Sequence, residues 1–203
     1  LKTSELLPFY AVTGNASSTD QQADGVLISH IRYEALQGTI RTSTRPISLD
    51  QNALEPLFLE EELYQWESDG GLLVTDDLAS LALRRFFDPN QQTFDARQIV
   101  LAALTAGNDL LYIDGQVNLS DEQSFLDLLD AMKFFADKYR EDPVFAGQVE
   151  KAVLKILTRK FMVYETFSIE EVAPSAAKQA LIGEDNGFVF NIAQDGVTLI
   201  SPS

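Results

Sequence analysis

The sequence has 203 residues, of which 15 are basic and 31 acidic, giving a formal net charge of −16 at pH 7. This charge argues against binding to nucleic acid or to an anionic membrane surface. The chain has no cysteine, which excludes disulfides, thiolate metal sites and a cysteine nucleophile. No apolar run reaches the roughly 18 residues that predict a membrane span.

The chain begins at Leu1 without a leader in which basic residues precede an apolar run. We therefore expect a mature or trimmed product. The bacterial cytoplasm, the periplasm and secretion all stay open as its location, because exported bacterial proteins can also lack cysteine.

Three short apolar runs, each followed by a helical pattern, organise the sequence. The runs are Gly25–Ile31, Gly70–Thr75 and Asp109–Asp114. Buried parallel strands have continuous apolar character bounded by glycine or polar residues. The helices predicted after them span residues 50–66, 78–83 and beyond 120, and another spans 97–106. Ser48 or Asp50 is the predicted cap of the first of these, and Gly107-Asn108 the predicted stop of the helix over 97–106. The alternation predicts an α/β fold with a parallel sheet.

Two acidic residues, Asp76 and Asp77, follow the second predicted strand and precede a helix. An acidic residue in this place most often accepts hydrogen bonds from the free N–H groups of the helix, so capping is the simpler interpretation. The carboxyl edge of a parallel sheet is also where active-site groups collect. The residues alone leave both interpretations open.

The only histidine of the chain, His30, follows the first predicted strand. A lone histidine at such a place is usually a hydrogen-bonded structural group. The alternative is a residue that lines a ligand pocket at the sheet edge.

The C-terminal part is predicted from capping signals and periodicity. Ser120 and Gln123 predict a helix start, and Asp142-Pro143 predicts another. In the second helix Val149, Val153, Ile156 and Leu157 are expected to face the core. Lys151, Lys155, Arg159 and Lys160 are expected to form a solvated face. The segment 187–200 is expected to form a short β-hairpin around Asp195-Gly196.

Several segments resemble glycoside hydrolase family 3, especially its β-N-acetylhexosaminidase-like branch. Val74–Leu78 resembles the family's nucleophile segment, in which Ser or Thr and then Asp-Asp-Leu follow an apolar strand. Ser29–Tyr33 is similar to a family strand that ends in a small residue, His and Ile, with Tyr close behind. Ala106–Leu111 resembles the segment that enters the last barrel strand. The link Trp66–Gly71 departs from the family's usual Leu-Gly-Phe-x-Gly but keeps an aromatic residue and the glycines.

The resemblance implies an α/β fold that is a partial (β/α)8 TIM barrel. The chain would supply about the last three of the eight strand–helix units, C-terminal helices and a short terminal β segment. Residues 1–172 would be the C-terminal part of the barrel domain. Residues 173–203 would be a linker and the start of a second α/β domain.

The resemblance also implies a retaining β-glycosidase in which Asp76 is the catalytic nucleophile, while Asp77 is a cap. His30 would line the sugar pocket as a substrate-binding residue and would not be the general acid. The general acid/base would lie outside this chain, so the isolated segment is expected to be inactive. No cofactor and no metal are expected. A β-N-acetylglucosaminide is favoured over a β-glucoside because no aromatic residue follows Asp76.

The expected partners are a carbohydrate substrate and either the missing N-terminal half of the barrel or a complementing chain, because an open parallel sheet exposes apolar edges. Two other classes stay open. One is a non-catalytic carbohydrate-binding or scaffold relative. The other is an unrelated acidic α/β protein that binds a hard cation such as Mg²⁺ at Asp76 and Asp77.

Overall fold

The computed structural model describes residues 4–90, 95–113, 122–164 and 186–195, and the single residues 166, 168, 173, 175 and 176. The chain divides into two compact units, Leu1–Arg159 and Lys160–Ser203. The first unit is mixed α/β and mostly helical, with a small parallel sheet.

The sheet consists of β1 (Gly25–Ile28) and β2 (Leu72–Thr75), which pair in parallel with Gly25 opposite Leu72 and Ile28 opposite Thr75. Three helices separate the two strands in the chain, as the predicted alternation of strands and helices requires. The helices are α1 (Leu7–Ala11), α2 (Glu34–Gln37), α3 (Gln51–Phe58), α4 (Glu61–Ser68), α5 (Leu81–Phe87), α6 (Ala96–Thr105), α7 (Glu122–Glu141), α8 (Pro143–Val163) and α9 (Asn186–Asp195). Short 3-10 turns occupy Thr19–Gln21 and Ile47–Leu49.

The predicted third strand is present as a single parallel bridge between Leu110 and Val74. The Leu110 N–H donates to the Leu73 carbonyl at 3.0 Å, and the Leu110 carbonyl accepts from the Thr75 N–H at 3.0 Å. The bridge lies on the side of β2 away from β1, since the backbone groups of successive strand residues point to alternate sides. The N–H groups of Leu72 and Asp76 bond towards β1, whereas the Leu73 carbonyl and the Thr75 N–H bond to Leu110. Asp114, predicted as the end of this strand, lies outside the described residues.

One face of the sheet packs on helices and forms a buried core. Trp66 of α4 is fully buried and donates its indole N–H to the Ala23 carbonyl at 2.7 Å. A Cβ at Gly71 would lie 2.3 Å from the Trp66 ring, so only glycine fits where β2 begins. The remaining members of this core are Tyr10, Ile28, Ile47, Ala53, Leu54, Phe58, Leu63, Leu73 and Ala106.

The other face of the sheet is partly open in the described part of the chain. Leu27 is opposite Val74 in the strand register, and Val74 bridges to Leu110. Residues opposite one another share a face, so these three form one row across the sheet. Leu27 is 57% exposed and Leu110 is 42% exposed. We call this row the open sheet face.

Several predicted helix boundaries differ from the observed ones. The helix predicted over 50–66 is two helices, because the chain turns at Leu59 and Glu60 between α3 and α4. Its predicted Asp50 cap is confirmed, since the Asp50 carboxylate accepts from the Asn52 N–H at 3.2 Å. The helix predicted from Leu78 begins at Leu81, because a hydrogen-bonded turn intervenes.

The predicted terminal β segment is wrong where the structure describes it. Residues 186–195 form the helix α9, so the apolar run at Gly187–Ile192 is helical. A short apolar run rich in aromatic and β-branched residues does not distinguish a strand from a helix by its periodicity. Residues 196–200, the rest of the predicted hairpin, lie outside the described part.

The orientation predicted for α8 is wrong in part. Lys151 and Lys160 are exposed and Val149 packs on the buried Phe145 and Ala152, as the prediction requires. The side chains of Lys155 and Arg159, however, are only 10% and 18% exposed, whereas Val153 and Leu157 are exposed. The inward face of α8 includes these two basic side chains because it meets carboxylates and carbonyl groups near the amino end of β2.

Among the described residues, no helix combines the length and apolar character needed to cross a bilayer.

Candidate functional site

The carboxyl ends of β1 and β2 bring the predicted site residues together. The Asp76 N–H donates to the Ile28 carbonyl at 3.1 Å, which continues the strand pairing one residue beyond β2. Asp76 therefore occupies a backbone position that the sheet fixes. His30, two residues beyond β1, hydrogen-bonds to the backbone of Asp77.

The Asp76 carboxylate is half-buried and held at one oxygen. Its Oδ1 atom accepts a hydrogen bond from the Asp77 N–H at 2.8 Å. The other oxygen has no hydrogen-bond partner among the described residues. One oxygen thus orients the carboxylate while the second can approach a ligand.

Asp77 organises the turn between β2 and α5. Its Oδ1 atom accepts from the Ala79 N–H at 2.9 Å, and its carbonyl accepts from the Ser80 N–H at 3.0 Å. A side-chain oxygen bonded to a backbone N–H two residues ahead closes an Asx turn. The side chain of Asp77 thus stabilises the turn that precedes α5.

Both ring nitrogens of His30 have partners within the protein. The Nδ1 atom lies 2.7 Å from the Ser48 Oγ, and the Nε2 atom lies 2.9 Å from the Asp77 carbonyl oxygen. The ring is half-buried at the same sheet edge as Asp76. A ligand beside His30 would meet the ring's carbon atoms unless it displaced one of these hydrogen bonds.

Two buried polar residues at the site, Ser48 and Asn108, were not predicted as site residues, and Ser48 was considered only as a possible helix cap. Ser48 is fully buried and Asn108 is 1% exposed. The Asn108 Nδ2 group donates to the Ser48 carbonyl at 2.8 Å and to the Ala103 carbonyl at 2.7 Å. The sequence marked Asn108 only as a helix stop. Its pairing with Ser48, 60 residues away in the chain, has no local signal.

The end of β2 is also attached to the segment that follows Leu110. Thr75 is fully buried, and its Oγ1 accepts from the Tyr112 N–H at 2.9 Å. The Leu78 N–H donates to the Tyr112 carbonyl at 2.9 Å. The Asp76–Asp77 corner is therefore held by β1 on one side and by residues 110–112 on the other.

A cluster of charged residues lies near the amino end of β2, away from Asp76. Lys155 contacts Glu67, donates to an Asp109 oxygen at 3.1 Å and lies 3.3 Å from the Gly71 carbonyl. The same Asp109 oxygen accepts from the Leu73 N–H at 2.9 Å. Contacts at the amino end of a parallel sheet stabilise the scaffold, whereas active-site groups collect at the carboxyl end. The cluster therefore anchors α8 and is not part of the candidate site.

The two carboxylates that share Lys155 have pKa values shifted in opposite directions. Burial raises the pKa of Asp109, against the opposing effects of the Leu73 N–H and of Lys155. Burial also acts to raise the pKa of Glu67, but the hydrogen bond and charge of Lys155, with Lys151, lower it overall. The difference arises because Asp109 is the more buried of the two and Lys155 lies closer to Glu67.

In the part of the chain that the structure describes, no group of three or more His, Asp and Glu side chains is arranged to hold a metal ion. A cavity of about 300 Å³ adjoins the site and is lined by His30, Arg32, Pro46, Ala82, Leu83 and Phe86. The Arg32 guanidinium lies over the Phe86 ring, 5.3 Å from its centroid.

Comparison with solved structures identifies the fold of this chain. A glycoside hydrolase family 3 β-N-acetylglucosaminidase from Paenibacillus sp. str. FPU-7 aligns with 98% of the chain, at 19% identity and a TM-score of 0.58. A fungal multi-domain glycoside hydrolase family 3 β-N-acetylglucosaminidase, which has a GCN5-related glucosamine N-acetyltransferase region, aligns with 78%, at 17% identity and a TM-score of 0.56. No family model and no curated protein matches the chain.

The chain therefore shares the fold of part of glycoside hydrolase family 3 β-N-acetylglucosaminidases. It spans 32% of the Paenibacillus structure and 16% of the fungal one. At these identities the likeness concerns the fold alone. It agrees with the resemblance drawn from Val74–Leu78 at the level of the fold.

Proposed function

We propose that this chain is part of a retaining β-glycosidase and that Asp76 is its nucleophile. The observation that carries the proposal is the placement of Asp76 just beyond β2. One carboxylate oxygen is held by the Asp77 N–H, and the other has no hydrogen-bond partner among the described residues. A nucleophile needs this combination of a fixed backbone and an accessible oxygen.

In the proposed reaction, Asp76 attacks the anomeric carbon of a β-linked sugar while a general acid protonates the departing glycosidic oxygen. A covalent glycosyl-Asp76 ester results. The same acid residue, now a base, removes a proton from water, which attacks the anomeric carbon and releases Asp76. The family resemblance implies that this acid/base lies outside the 203 residues.

The proposed substrate is a β-N-acetylglucosaminide, with a β-glucoside as the next choice. The support comes from the Asp-Asp-Leu sequence at residues 76–78, and from the family of the two aligned structures, both named as β-N-acetylglucosaminidases. His30 would line the sugar pocket through its ring, because both of its nitrogens already bind protein groups.

The proposed architecture is a (β/α)8 barrel of which β1, β2 and the segment at Leu110 are three neighbouring strands. Residues 1–172 would complete the barrel domain, and residues 173–203 would lead into a second α/β domain. The open sheet face supports the proposal, since Leu27, Val74 and Leu110 would point into the barrel. In the described part of the chain β1 pairs only with β2, so its other edge would receive the preceding barrel strand.

A barrel segment that supplies this preceding strand would also cover an apolar cavity of about 240 Å³ beside β1. Residues of α1, β1, α2 and α3 line it, including Phe9, Val26, Leu36 and Leu57. The segment would come from the missing N-terminal half of the barrel or from a complementing chain.

Covalent trapping tests the proposed function. The complete protein would be incubated with activated fluoro-sugars of the N-acetylglucosamine and glucose types, and its peptides analysed by mass spectrometry. We expect a sugar adduct on the peptide that contains Asp76. The Asp76→Asn variant should form none.

Asp77→Asn is the matched control, because an asparagine Oδ1 can still accept from the Ala79 N–H and hold the turn. This variant should still be labelled at Asp76. An adduct on a different carboxylate would contradict the assignment. Sugar binding without any adduct or turnover would instead favour a non-catalytic carbohydrate-binding relative, for which the unusual link at Trp66–Gly71 is the supporting observation.

A further inference from the structure

We propose that Ser48 is a positioning residue for the candidate nucleophile, acting through the ring of His30. This inference rests on the proposed role of Asp76. It assigns a role to a serine that lies 28 residues before Asp76 in the sequence and that contacts neither Asp76 nor, in this arrangement, a sugar.

The partners of His30 determine which of its nitrogens carries the proton. The Nε2 atom faces the Asp77 carbonyl oxygen, which can only accept a hydrogen bond, so Nε2 must bear hydrogen. In the neutral ring Nδ1 is then an acceptor, and the Ser48 hydroxyl at 2.7 Å is its donor. The two contacts select the same tautomer and hold the ring from both sides.

The backbone of Asp77 links this contact to Asp76. Its carbonyl accepts from His30 and also from the Ser80 N–H at 3.0 Å, while its own N–H donates to the Asp76 Oδ1 at 2.8 Å. The carbonyl and the N–H belong to the peptide units on either side of the Asp77 Cα atom, so fixing the carbonyl leaves only the two dihedral angles of Asp77 to turn the N–H away from Asp76. His30 supplies the hydrogen bond to this carbonyl that comes from outside the turn. His30 therefore acts as a fixed hydrogen-bond donor to the backbone of the corner.

Ser48 is itself rigidly held, which a positioning residue requires. It is fully buried in the 3-10 turn Ile47–Leu49, and its carbonyl accepts from the Asn108 side chain at 2.8 Å. The path Asn108–Ser48–His30–Asp77–Asp76 consists of hydrogen bonds between residues that are buried or half-buried. Such supporting contacts keep a reactive group in its productive geometry.

The first test is nitrogen NMR of the complete wild-type protein labelled with ¹⁵N-histidine. His30 is the only histidine in these 203 residues, and its signals are identified by their loss in His30→Gln. We expect the Nε2 signal at the chemical shift of a protonated imidazole nitrogen. The Nδ1 signal should have the chemical shift of an unprotonated nitrogen that accepts a hydrogen bond. In Ser48→Ala the Nδ1 signal should move downfield, to that of an imidazole nitrogen without a donor.

The matched control is Ser80→Ala. Ser80 lies close to the same corner, and its buried Oγ has no hydrogen-bond partner among the described residues. This variant also removes one buried hydroxyl, but it should leave the Nδ1 signal unchanged. A protonated Nδ1 in the wild type, or an Nδ1 signal that stays in place in Ser48→Ala, would overturn the inference.

The second readout is kinetic. Ser48→Ala should lower kcat by up to about 100-fold, the cost of a misplaced reacting group, and leave KM nearly unchanged because Ser48 touches no substrate. Ser80→Ala should change neither. An unchanged kcat in Ser48→Ala overturns the positioning role even if the nitrogen shift is observed. Failure of the proposed function is distinct, since it is read as no adduct on Asp76 in the wild type.

Discussion

At the scale of single residues, a substitution at Asp76 can test its catalytic role separately from its structural role. Asp76→Asn keeps the shape of the side chain, and its amide oxygen can still accept from the Asp77 N–H. It lacks the negative charge that attacks the anomeric carbon. We expect kcat to fall by roughly 10⁴-fold or more, as when other enzymes lose a reacting group, with the thermal midpoint almost unchanged.

Activity and thermal unfolding of the complete protein measure the two quantities on the same preparation. Retained activity together with a large drop in thermal midpoint would return Asp76 to a structural role in the turn.

Gly71 provides a second prediction at this scale, this time about packing. A methyl group at Gly71 would press on the buried Trp66 ring, which has no room to move. Gly71→Ala should lower the free energy of unfolding by about 1–3 kcal/mol, the usual cost of overpacking a core. Urea unfolding of the variant measures the change.

Gly147→Ala in α8 is the control with the opposite expected sign. Nothing lies within 4 Å of a Cβ at Gly147, and alanine favours a helix over glycine by about 0.5–1 kcal/mol. It should therefore stabilise the chain. Equal effects of the two substitutions would contradict the packing of Trp66 on Gly71.

The sequence identifies some of these residues and not others, depending on how local their contacts are. Asp76 and Asp77 were predicted at the end of a strand because the strand pattern and the turn are adjacent in the chain. Ser48 and Asn108 were not predicted, because their side chains bind groups 18 and 60 residues away. No spacing rule connects positions that only the tertiary fold brings together.

At the scale of elements, α8 is fixed to the amino end of β2 by Lys155. Lys155→Met would leave Asp109, whose side chain is 6% exposed, without a cation. Glu67, whose side chain is 19% exposed, would keep only the contact with Lys151. Removing one member of a buried ion pair is strongly destabilising. We expect a loss of about 3 kcal/mol in the free energy of unfolding at pH 7.

Lys151→Met is the matched control on the same helix. Lys151 also pairs with Glu67, at 3.2 Å, but its side chain is 68% exposed. An exposed pair contributes about 0–1 kcal/mol, so this variant should lose little. Similar losses in the two variants would show that α8 is not anchored through Lys155.

The same anchor predicts a change with pH, measured by denaturant unfolding of Lys155→Met between pH 7 and pH 3. Burial raises the pKa of Asp109, and removal of Lys155 takes away one of the effects that oppose this rise. The same change removes the hydrogen bond and charge of Lys155 that, with Lys151, lower the pKa of Glu67 against the effect of burial. A carboxyl group whose pKa is higher in the folded state than in the unfolded state destabilises the fold at pH values above these pKa values. This penalty disappears when the pH falls below the unfolded-state pKa, because the group is then protonated in both states. The stability gap to wild type should therefore narrow as the pH falls through this range. A gap that widens would contradict the assignment.

The helices also show which features of an element can be predicted from sequence patterns. The start of α8 was predicted, and Asp142 indeed accepts from the Val144 and Phe145 N–H groups. Its orientation was predicted only in part, because the rule that places Lys and Arg outside holds for Lys151 but fails for Lys155, which meets buried carboxylates. The strand predicted at residues 187–192 failed for a different reason, since apolar content alone does not fix the period of a short segment.

At the scale of the whole molecule, the order of strands was the most predictable feature. Each strand is a local apolar run, and parallel neighbours joined through helices follow chain order in the described part: β1, β2 and then the bridge at Leu110. The extent of the third strand was overpredicted, because in the described part of the chain the segment at Leu110 pairs with β2 through a single bridge. The sheet that results leaves Leu27 and Leu110 exposed.

The open sheet face yields a prediction that compares two lengths of chain. Leu27 is 57% exposed in these 203 residues, so Leu27→Thr should change the free energy of unfolding of this chain by no more than about 0.5 kcal/mol. Threonine suits a strand, which keeps the comparison free of a backbone effect. In the complete protein, a barrel segment over the open sheet face would bury residue 27. The same substitution should then cost about 2–4 kcal/mol, from lost apolar burial and a buried hydroxyl.

Leu59→Thr is the control for this comparison. Leu59 is 63% exposed and lies in the turn after α3, away from the open sheet face. It should have a small effect at both chain lengths. Urea unfolding of the four variant proteins decides the matter, because a cost at Leu27 that appears only in the complete protein requires a covering segment. A small and equal effect of Leu27→Thr at both lengths would mean that this face stays open, and the barrel proposal would fall with it.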